Sequence, residues 1–291
     1  VELMARLGVH SYRFSIAWPR VQPDGGGAWN QKGIDYYKRL SDALLARGMT
    51  PAATLYHWDL PQSLQDAGGW PNRETALRFG EYASRMYEEL SDRIPMWITL
   101  NEPWCAAILG YLWGEHAPGH QDRGEAYRAI HHLLLGHGIA LESFRQGGYE
   151  GSIGITLNLS TPRPATGRPD DLEAADRGAD QQSRMFLDPL LGRGYPERHL
   201  RSYPEAPVPI ETGDMAKISG AIDFLGLNYY TEAVLAHDPE HPEGYQEVPD
   251  YQRRTEMALQ EKERRFRELF EHMGSGVAVY RAIRDGEDFI F

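Results

Sequence analysis

The sequence predicts an α/β fold in which parallel strands alternate with helices, and within that class it favours a (β/α)8 barrel. A strand candidate, a polar loop and a helix candidate follow one another four times along the chain. Polar side chains also lie at the carboxyl ends of successive strands, which form the active-site face of such a barrel. The rival fold, a doubly wound open sheet, should carry a Gly-rich phosphate loop after an early strand, and the glycines at positions 25–27 lack that spacing.

Five segments have the patterns of strands: residues 10–17, 50–58, 96–100, 151–159 and 222–227. In the first, Tyr12, Phe14 and Ile16 alternate with Arg13 and Ser15, so the two polar residues share one side. A short helix is predicted to end at residue 8, and longer helices over 30–47, 72–92 and 125–145, with Asn30 as an N-cap. Residues 171–219 are predicted to be partly helical.

Composition limits the function classes. The 291 residues carry a net charge of −12, which argues against nucleic-acid binding by a basic surface. The single cysteine, Cys105, excludes an internal disulfide framework and a cysteine-rich metal site, and it is compatible with a reducing cytoplasm. No apolar run reaches the roughly 18 residues expected of a membrane span. The histidines are scattered without a HExxH pattern, so no metal site is expected.

The residues at the strand ends suit hydrolysis of an acetal such as a glycosidic bond. That reaction needs an acid to protonate the leaving oxygen and a carboxylate on the other side of the sugar. Glu102 follows an apolar strand, and a site among aromatics and beside Asn101 would favour the acid role by raising its pKa. Trp58 and Trp104 offer faces for a sugar ring, and Arg13 would hold a second carboxylate ionised.

Each of these residues also has a purely structural interpretation. His57 alone is more often structural than functional, the two tryptophans are as easily explained by packing, and Arg13 would fit a salt bridge inside the barrel. Tyr229 is expected to pack, because strand alternation places it opposite Tyr230. Cys105 has no visible partner for nucleophilic catalysis.

Five motifs appear in the order and spacing of one family: RFSIAWPRVQP at 13–23, YHWDLPQ at 56–62, GGW at 68–70, TLNEPW at 99–104 and FLGLNYYT at 224–231. The chain therefore resembles glycoside hydrolase family 1, which contains β-glucosidases and β-galactosidases, over about residues 1–235. The resemblance implies a (β/α)8 barrel and a retaining two-carboxylate mechanism without a metal or organic cofactor. It implies a β-glucoside or related small saccharide as the substrate.

The resemblance also assigns roles by position. Glu102 matches the general acid/base, and Asn101 the residue that contacts the sugar 2-hydroxyl. His57 and Trp58 match sugar-binding positions, and Trp104 falls on the leaving-group side. The positions that match partners of the nucleophilic carboxylate are Arg13, Asn228 and Tyr230.

The chain departs from the family pattern at both ends. By this mapping it holds about strands two to six of eight, and no Glu-Asn-Gly sequence, the family's nucleophile motif, occurs in the 291 residues. Retaining chemistry needs the second carboxylate about 5 Å from the first. We therefore expect this fragment to be inactive by itself.

The last part of the sequence has a different character. Residues 1–236 are interpreted as the partial barrel, 237–254 as a linker rich in Pro, Glu, His and Gly, and 255–291 as a charged helix and a short β-hairpin. Residues 265–291 resemble the start of a PAS sensor domain. The alternative function is accordingly a non-catalytic sugar-binding or sensory remnant fused to a PAS-type signalling module.

Overall fold

The computed structural model describes residues 1–248 and two later strands, 279–282 and 289–290. Its main sheet contains five parallel strands in the order β1-β2-β3-β4-β6. The strands in chain order are β1 Ser11–Ser15, β2 Thr50–Tyr56, β3 Met96–Asn101, β4 Ser152–Asn158, β5 Arg163–Pro164, β6 Phe224–Asn228, β7 Val234–His237, β8 Tyr245–Glu247, β9 Val279–Ala282 and β10 Phe289–Ile290. All five predicted strands are present, and the α/β prediction with a partial parallel barrel is confirmed.

Helices connect the parallel strands on one side of the sheet. They are α1 Glu2–Arg6, α2 Trp18–Val21, α3 Gln31–Leu45, α4 Gln62–Asp66, α5 Arg73–Leu90, α6 Arg123–Gln146, α7 Pro169–Ala179, α8 Met185–Leu190, α9 Glu197–Ser202 and α10 Asp214–Ile218, with π-helices at Cys105–Leu112 and Asp180–Arg184. Asn72 caps α5 by accepting a hydrogen bond from the backbone N–H of Glu74. Asn30 occupies the N-cap position of α3, but its side chain makes no cap and donates to the backbone oxygen of Arg20 instead.

Most of the hydrophobic core lies between the sheet and these helices. The strands direct one set of alternating side chains toward it, including Phe14, Leu55 and Trp97. The opposite face of the sheet buries a much smaller apolar cluster of Ala52, Ile98 and Phe224. That inner face therefore leaves room for polar side chains.

A buried carboxylate holds three helices together behind the sheet. Asp214, at the start of α10, is 2% exposed and accepts hydrogen bonds from Arg73 Nη2 at 2.6 Å and Nη1 at 2.8 Å. It is also hydrogen-bonded to His131 Nε2 at 2.9 Å and to the backbone N–H of Glu211. Burial alone would raise the pKa of Asp214, but the bonds from Arg73 and His131 hold that pKa well below its ordinary value.

The predicted linker at 237–254 is wrong over its first part. Strands β7 and β8 pair antiparallel, and β7 also pairs with β5 in a second, three-stranded sheet. Between them Glu243, which lies between β7 and β8 in the chain, is only 7% exposed. Its carboxylate accepts hydrogen bonds from Arg123 on α6 and from Tyr203. Residues 237–247 are therefore a packed hairpin.

Later residues are described only in part. Strands β9 and β10 pair antiparallel, as the sequence predicts for a hairpin there, and β9 lies antiparallel beside β6. The charged helix predicted over 255–273 lies outside the described residues. Within the described part of the chain, no helix combines the length and the apolar character required to cross a membrane.

Candidate active site

The carboxyl ends of four parallel strands bring most of the predicted site residues together. Arg13 lies within β1, His57 and Trp58 follow β2 directly, Asn101 is the last residue of β3, and Asn228 is the last residue of β6. Register between β3 and β4 shifts between Ile98 and Asn101. Such irregularities re-aim side chains at strand ends, and here one precedes the Asn101-Glu102 pair.

Glu102 is held firmly at the centre of this group. Its side chain is buried, with the residue 3% exposed, and its backbone has a left-handed φ of +47°. Its backbone N–H donates to the carbonyl oxygen of Thr156 at 2.8 Å. Its Oε1 accepts hydrogen bonds from Asn228 Nδ2 and, at 2.9 Å, from the Tyr230 hydroxyl. A strained backbone fixed by surrounding contacts is typical of functional sites.

Asn101 connects the residues from β1, β2 and β6. Arg13 Nη2 donates to Asn101 Oδ1 at 2.7 Å, and Arg13 Nε donates to Thr54 Oγ1 at 2.8 Å. Burial lowers the pKa of Arg13, and the nearby Glu102 carboxylate opposes that shift. The guanidinium therefore places a fixed positive charge beside Asn101 and Glu102.

His57 bridges two of its neighbours. Its Nδ1 lies 3.1 Å from Ser15 Oγ, and its Nε2 lies 3.3 Å from Asn101 Nδ2. Burial, and then the positive charge of Arg13, lower the pKa of His57. The lowered pKa favours the neutral imidazole, in which one ring nitrogen donates a hydrogen bond and the other accepts one.

The two predicted tryptophans line different pockets. Trp58, which has a left-handed φ of +83°, donates from Nε1 to the carbonyl oxygen of Asn101 at 2.8 Å and borders a pocket of 320 Å³ together with His116. Trp104 borders a second pocket of 220 Å³. Its ring packs edge-to-face against Trp113, with centroids 5.2 Å apart.

The structure adds three residues to the predicted group: Ser15, Thr54 and Cys105. Thr54 orients Arg13, and Ser15 orients His57. The strand alternation places Ser15 on the same side as Arg13, and that pattern could have indicated Ser15. Cys105 donates from Sγ to Glu102 Oε2 at 3.4 Å, and burial together with that carboxylate raises the pKa of its thiol. Tyr229, expected to pack, is 58% exposed.

Comparison with known proteins identifies the family of the chain. The family model described as Glycosyl hydrolase family 1 matches residues 1–280. The chain belongs to glycosyl hydrolase family 1. It is 44% identical to beta-glucosidase A of Acetivibrio thermocellus over 247 residues, and 48% identical to thermostable beta-glucosidase B of Thermobispora bispora over 241 residues.

These alignments cover 84% and 82% of this chain but only 55% and 50% of the two relatives. A beta-glucosidase from Thermotoga maritima in complex with castanospermine superposes with a TM-score of 0.80 at 44% identity, over 85% of this chain and 56% of that one. The AHE enzyme from Alicyclobacillus herbarius gives 0.83 at 47% identity, over 85% and 57%. The chain thus spans about half the length of the family 1 proteins it matches.

The family match also bears on the end of the chain. It continues to residue 280 and so overlaps the segment 265–291 that was expected to resemble a PAS domain. The comparisons do not support that expectation, and most of the segment lies outside the described residues.

The hydrogen bonds of Asn228 and Tyr230 differ from the expected arrangement. The resemblance implies that Asn228 and Tyr230 serve the nucleophile, but here both donate to Glu102. In residues 1–248, no other carboxylate is hydrogen-bonded to Arg13, Asn228 or Tyr230. The same part of the chain contains no group of three or more His, Cys, Asp or Glu side chains arranged to hold a metal ion.

Proposed function

We propose that these strand ends carry the acid/base half of a retaining β-glycosidase site that acts on β-glucosides. The observation that supports this most directly is the fixed carboxylate of Glu102, which is buried and hydrogen-bonded by Asn228 and Tyr230 beside Asn101. The beta-glucosidase names of the family 1 relatives support the choice of substrate. A reducing compartment, inferred from the single cysteine, is part of the same proposal.

In this proposal Glu102 first protonates the glycosidic oxygen as the leaving group departs. It then takes a proton from the water that attacks the sugar, as retaining chemistry requires of its acid/base residue. Asn101, oriented by Arg13, binds the hydroxyl next to the reacting carbon. His57 and Trp58 bind the remaining hydroxyls and the ring, while Trp104 contacts the leaving group.

The first step of the reaction also needs a nucleophile, which these 291 residues do not include in a recognisable motif. We propose that Arg13, Asn228 and Tyr230 are the donors prepared for that carboxylate. Without it the polypeptide hydrolyses no glycoside by itself. A small anion such as azide could take its place, forming a bond to the anomeric carbon while the aryl oxygen leaves with the proton of Glu102.

The test compares two aryl β-glucosides in the presence of sodium azide. Phenyl β-glucoside has a basic leaving oxygen that needs an acid, whereas 2,4-dinitrophenyl β-glucoside does not. With the unaltered chain we expect azide to release the phenol from both substrates. In Glu102→Gln the rate of release should fall roughly 100-fold or more with the phenyl substrate alone, because general acid catalysis contributes about 10²–10⁴-fold. Glu150→Gln, at an exposed position, is the matched control.

Equal losses with both substrates would contradict the acid role of Glu102. Turnover without azide would show that another carboxylate acts as nucleophile. Binding of methyl β-glucoside, measured by calorimetry, without any azide-dependent release would instead favour a non-catalytic sugar-binding protein.

A further inference from the structure

The two carboxylate oxygens of Glu102 have unequal surroundings. Oε1 accepts hydrogen bonds from Asn228 Nδ2 and from the Tyr230 hydroxyl. Within residues 1–248, the only hydrogen bond to Oε2 comes from the Cys105 thiol, whose Sγ lies 3.4 Å away. A thiol is a weak donor, whereas an amide or a phenol that donates to a charged carboxylate forms a strong bond. Oε2 is therefore the less strongly bound oxygen of the pair.

The local fold directs the Cys105 thiol at Oε2. The backbone N–H of Cys105 donates to the carbonyl oxygen of Glu102 at 2.9 Å, and this turn opens the π-helix Cys105–Leu112. On its other side the sulfur accepts a hydrogen bond at 3.7 Å from Nδ2 of Asn158, the last residue of β4. The thiol is thus held between Glu102, which follows β3, and the end of the neighbouring strand.

The thiol keeps its proton in this environment. Cys105 is 6% exposed, and burial, followed by the negative charge of Glu102, raises the pKa of its thiol. A protonated thiol offers one weak donor and one weak acceptor. It donates to Oε2 when Glu102 is ionised, and after rotation about its Cβ–Sγ bond its sulfur accepts from a protonated Oε2.

A proton on Glu102 therefore has two unequal positions. On Oε1 it would displace a bond from Asn228 or Tyr230, and bonds of this charge-assisted kind are the stronger class. On Oε2 it displaces only the thiol bond. We propose that Glu102 carries its transferable proton on Oε2 and that Cys105 is the positioning residue for that oxygen.

The use of this proton in catalysis rests on the proposed function above. Oε2 gives its proton to the glycosidic oxygen, which keeps the electron pair of its broken bond to the anomeric carbon. Azide, or the nucleophilic carboxylate, forms the new bond to that carbon. The thiol then turns back and donates to the ionised Oε2. The hydrogen bond between Cys105 and Glu102 does not depend on that chemistry.

The infrared S–H stretching band tests the thiol contact directly, because Cys105 is the only cysteine of the chain. Spectra of the unaltered chain and of Glu102→Gln are compared at pH 8. A thiol that donates to a carboxylate absorbs at a lower frequency than one that faces a neutral amide, so the band should move to higher frequency in Glu102→Gln. Ser41→Ala, at a buried position on α3, should leave the band unchanged. The same frequency in Glu102→Gln as in the unaltered chain overturns the proposal.

The positioning role is tested with the two aryl β-glucosides and azide. Cys105→Ala removes one hydrogen bond to the acid, so we expect release from phenyl β-glucoside to fall roughly threefold to tenfold while release from 2,4-dinitrophenyl β-glucoside is unchanged. Cys105→Ser restores a donor and should regain most of the lost rate. Circular dichroism checks that each variant keeps the fold, and Ser41→Ala should change neither rate.

The outcomes separate this proposal from the catalytic one. A loss confined to the phenyl substrate supports the positioning role. Equal losses with both substrates, or no loss with either, overturn that role, because Cys105 would then only fill space. Absence of azide-dependent release in the unaltered chain would count against the proposed function, whereas the infrared shift would still support the bond between Cys105 and Glu102.

Discussion

Replacing Asp214 by Asn should remove a substantial part of the stability of the helical layer. The change keeps the shape of the side chain but leaves the Arg73 guanidinium and the buried His131 without their anionic partner. Breaking a buried ion pair from one side costs about 3–5 kcal/mol. Arg73 is 30% exposed and keeps Glu211 as a partner at 3.4 Å. We therefore expect a smaller loss in the free energy of unfolding, about 2–3 kcal/mol.

Urea unfolding followed by tryptophan fluorescence at pH 7 measures this difference. Asp92→Asn is the matched control, since Asp92 is 67% exposed and pairs with Arg93 at the surface. Surface pairs contribute little, so the control should change the free energy of unfolding by less than about 0.5 kcal/mol. If Asp214→Asn loses no more stability than Asp92→Asn, the reasoning about the buried carboxylate is refuted.

The pH dependence gives a second check on Asp214. Its pKa is lowered in the folded state, so its contribution is fully present above the unfolded-state pKa of about 3.9 and is lost as the pH falls below that value. The stability gap between the wild type and Asp214→Asn should therefore narrow below pH 4. A gap that stays constant into strong acid would contradict this assignment.

Two further predictions concern the strand-end site and the buried histidines. Glu102→Gly should be about 1 kcal/mol more stable than Glu102→Ala in the same urea assay, because the φ of +47° favours glycine; equal stabilities would show that the backbone there is unstrained. Burial lowers the pKa of three histidines to about 4: His132, His137 and His199. As the pH is lowered, the unfolded chain binds these protons before the folded chain does. The free energy of unfolding should therefore decrease as the pH falls from 6.5 to 4, by up to about 1.4 kcal/mol per pH unit for each histidine. Thermal unfolding across that range should show a shallower slope in His137→Asn, and a melting temperature independent of pH would contradict the assignment.

The parallel sheet and the clustering of its polar ends could be predicted because both depend on local patterns. Alternation located the strands, and the geometry of parallel strands places their carboxyl ends at one edge. That was sufficient to place Asn101 and Glu102 near Arg13. The same rule failed for Tyr229, because β6 ends at Asn228 and strand alternation no longer applies beyond it.

The features that were missed depend on contacts between residues distant in sequence. The composition of residues 237–247 predicts a loop, but the segment is packed by strand pairing and by the ion pair between Arg123 and Glu243, which are 120 positions apart. Likewise, no local pattern shows that the donors at Asn228 and Tyr230 reach Glu102, 126 and 128 positions earlier. The missing cap at Asn30 has a more local cause, because its amide nitrogen donates to the backbone oxygen of Arg20, ten positions earlier.

The contact between Arg73 and Asp214 also sets an order of events during synthesis. The two residues are 141 positions apart, so α5 and α6 leave the ribosome long before their shared carboxylate exists. Until then Arg73 and His131 have no anion to bury against, and docking of α10 has to close a long loop. Nascent chains arrested before residue 214 should therefore be cleaved by proteases within α5 and α6 more readily than chains arrested just beyond α10.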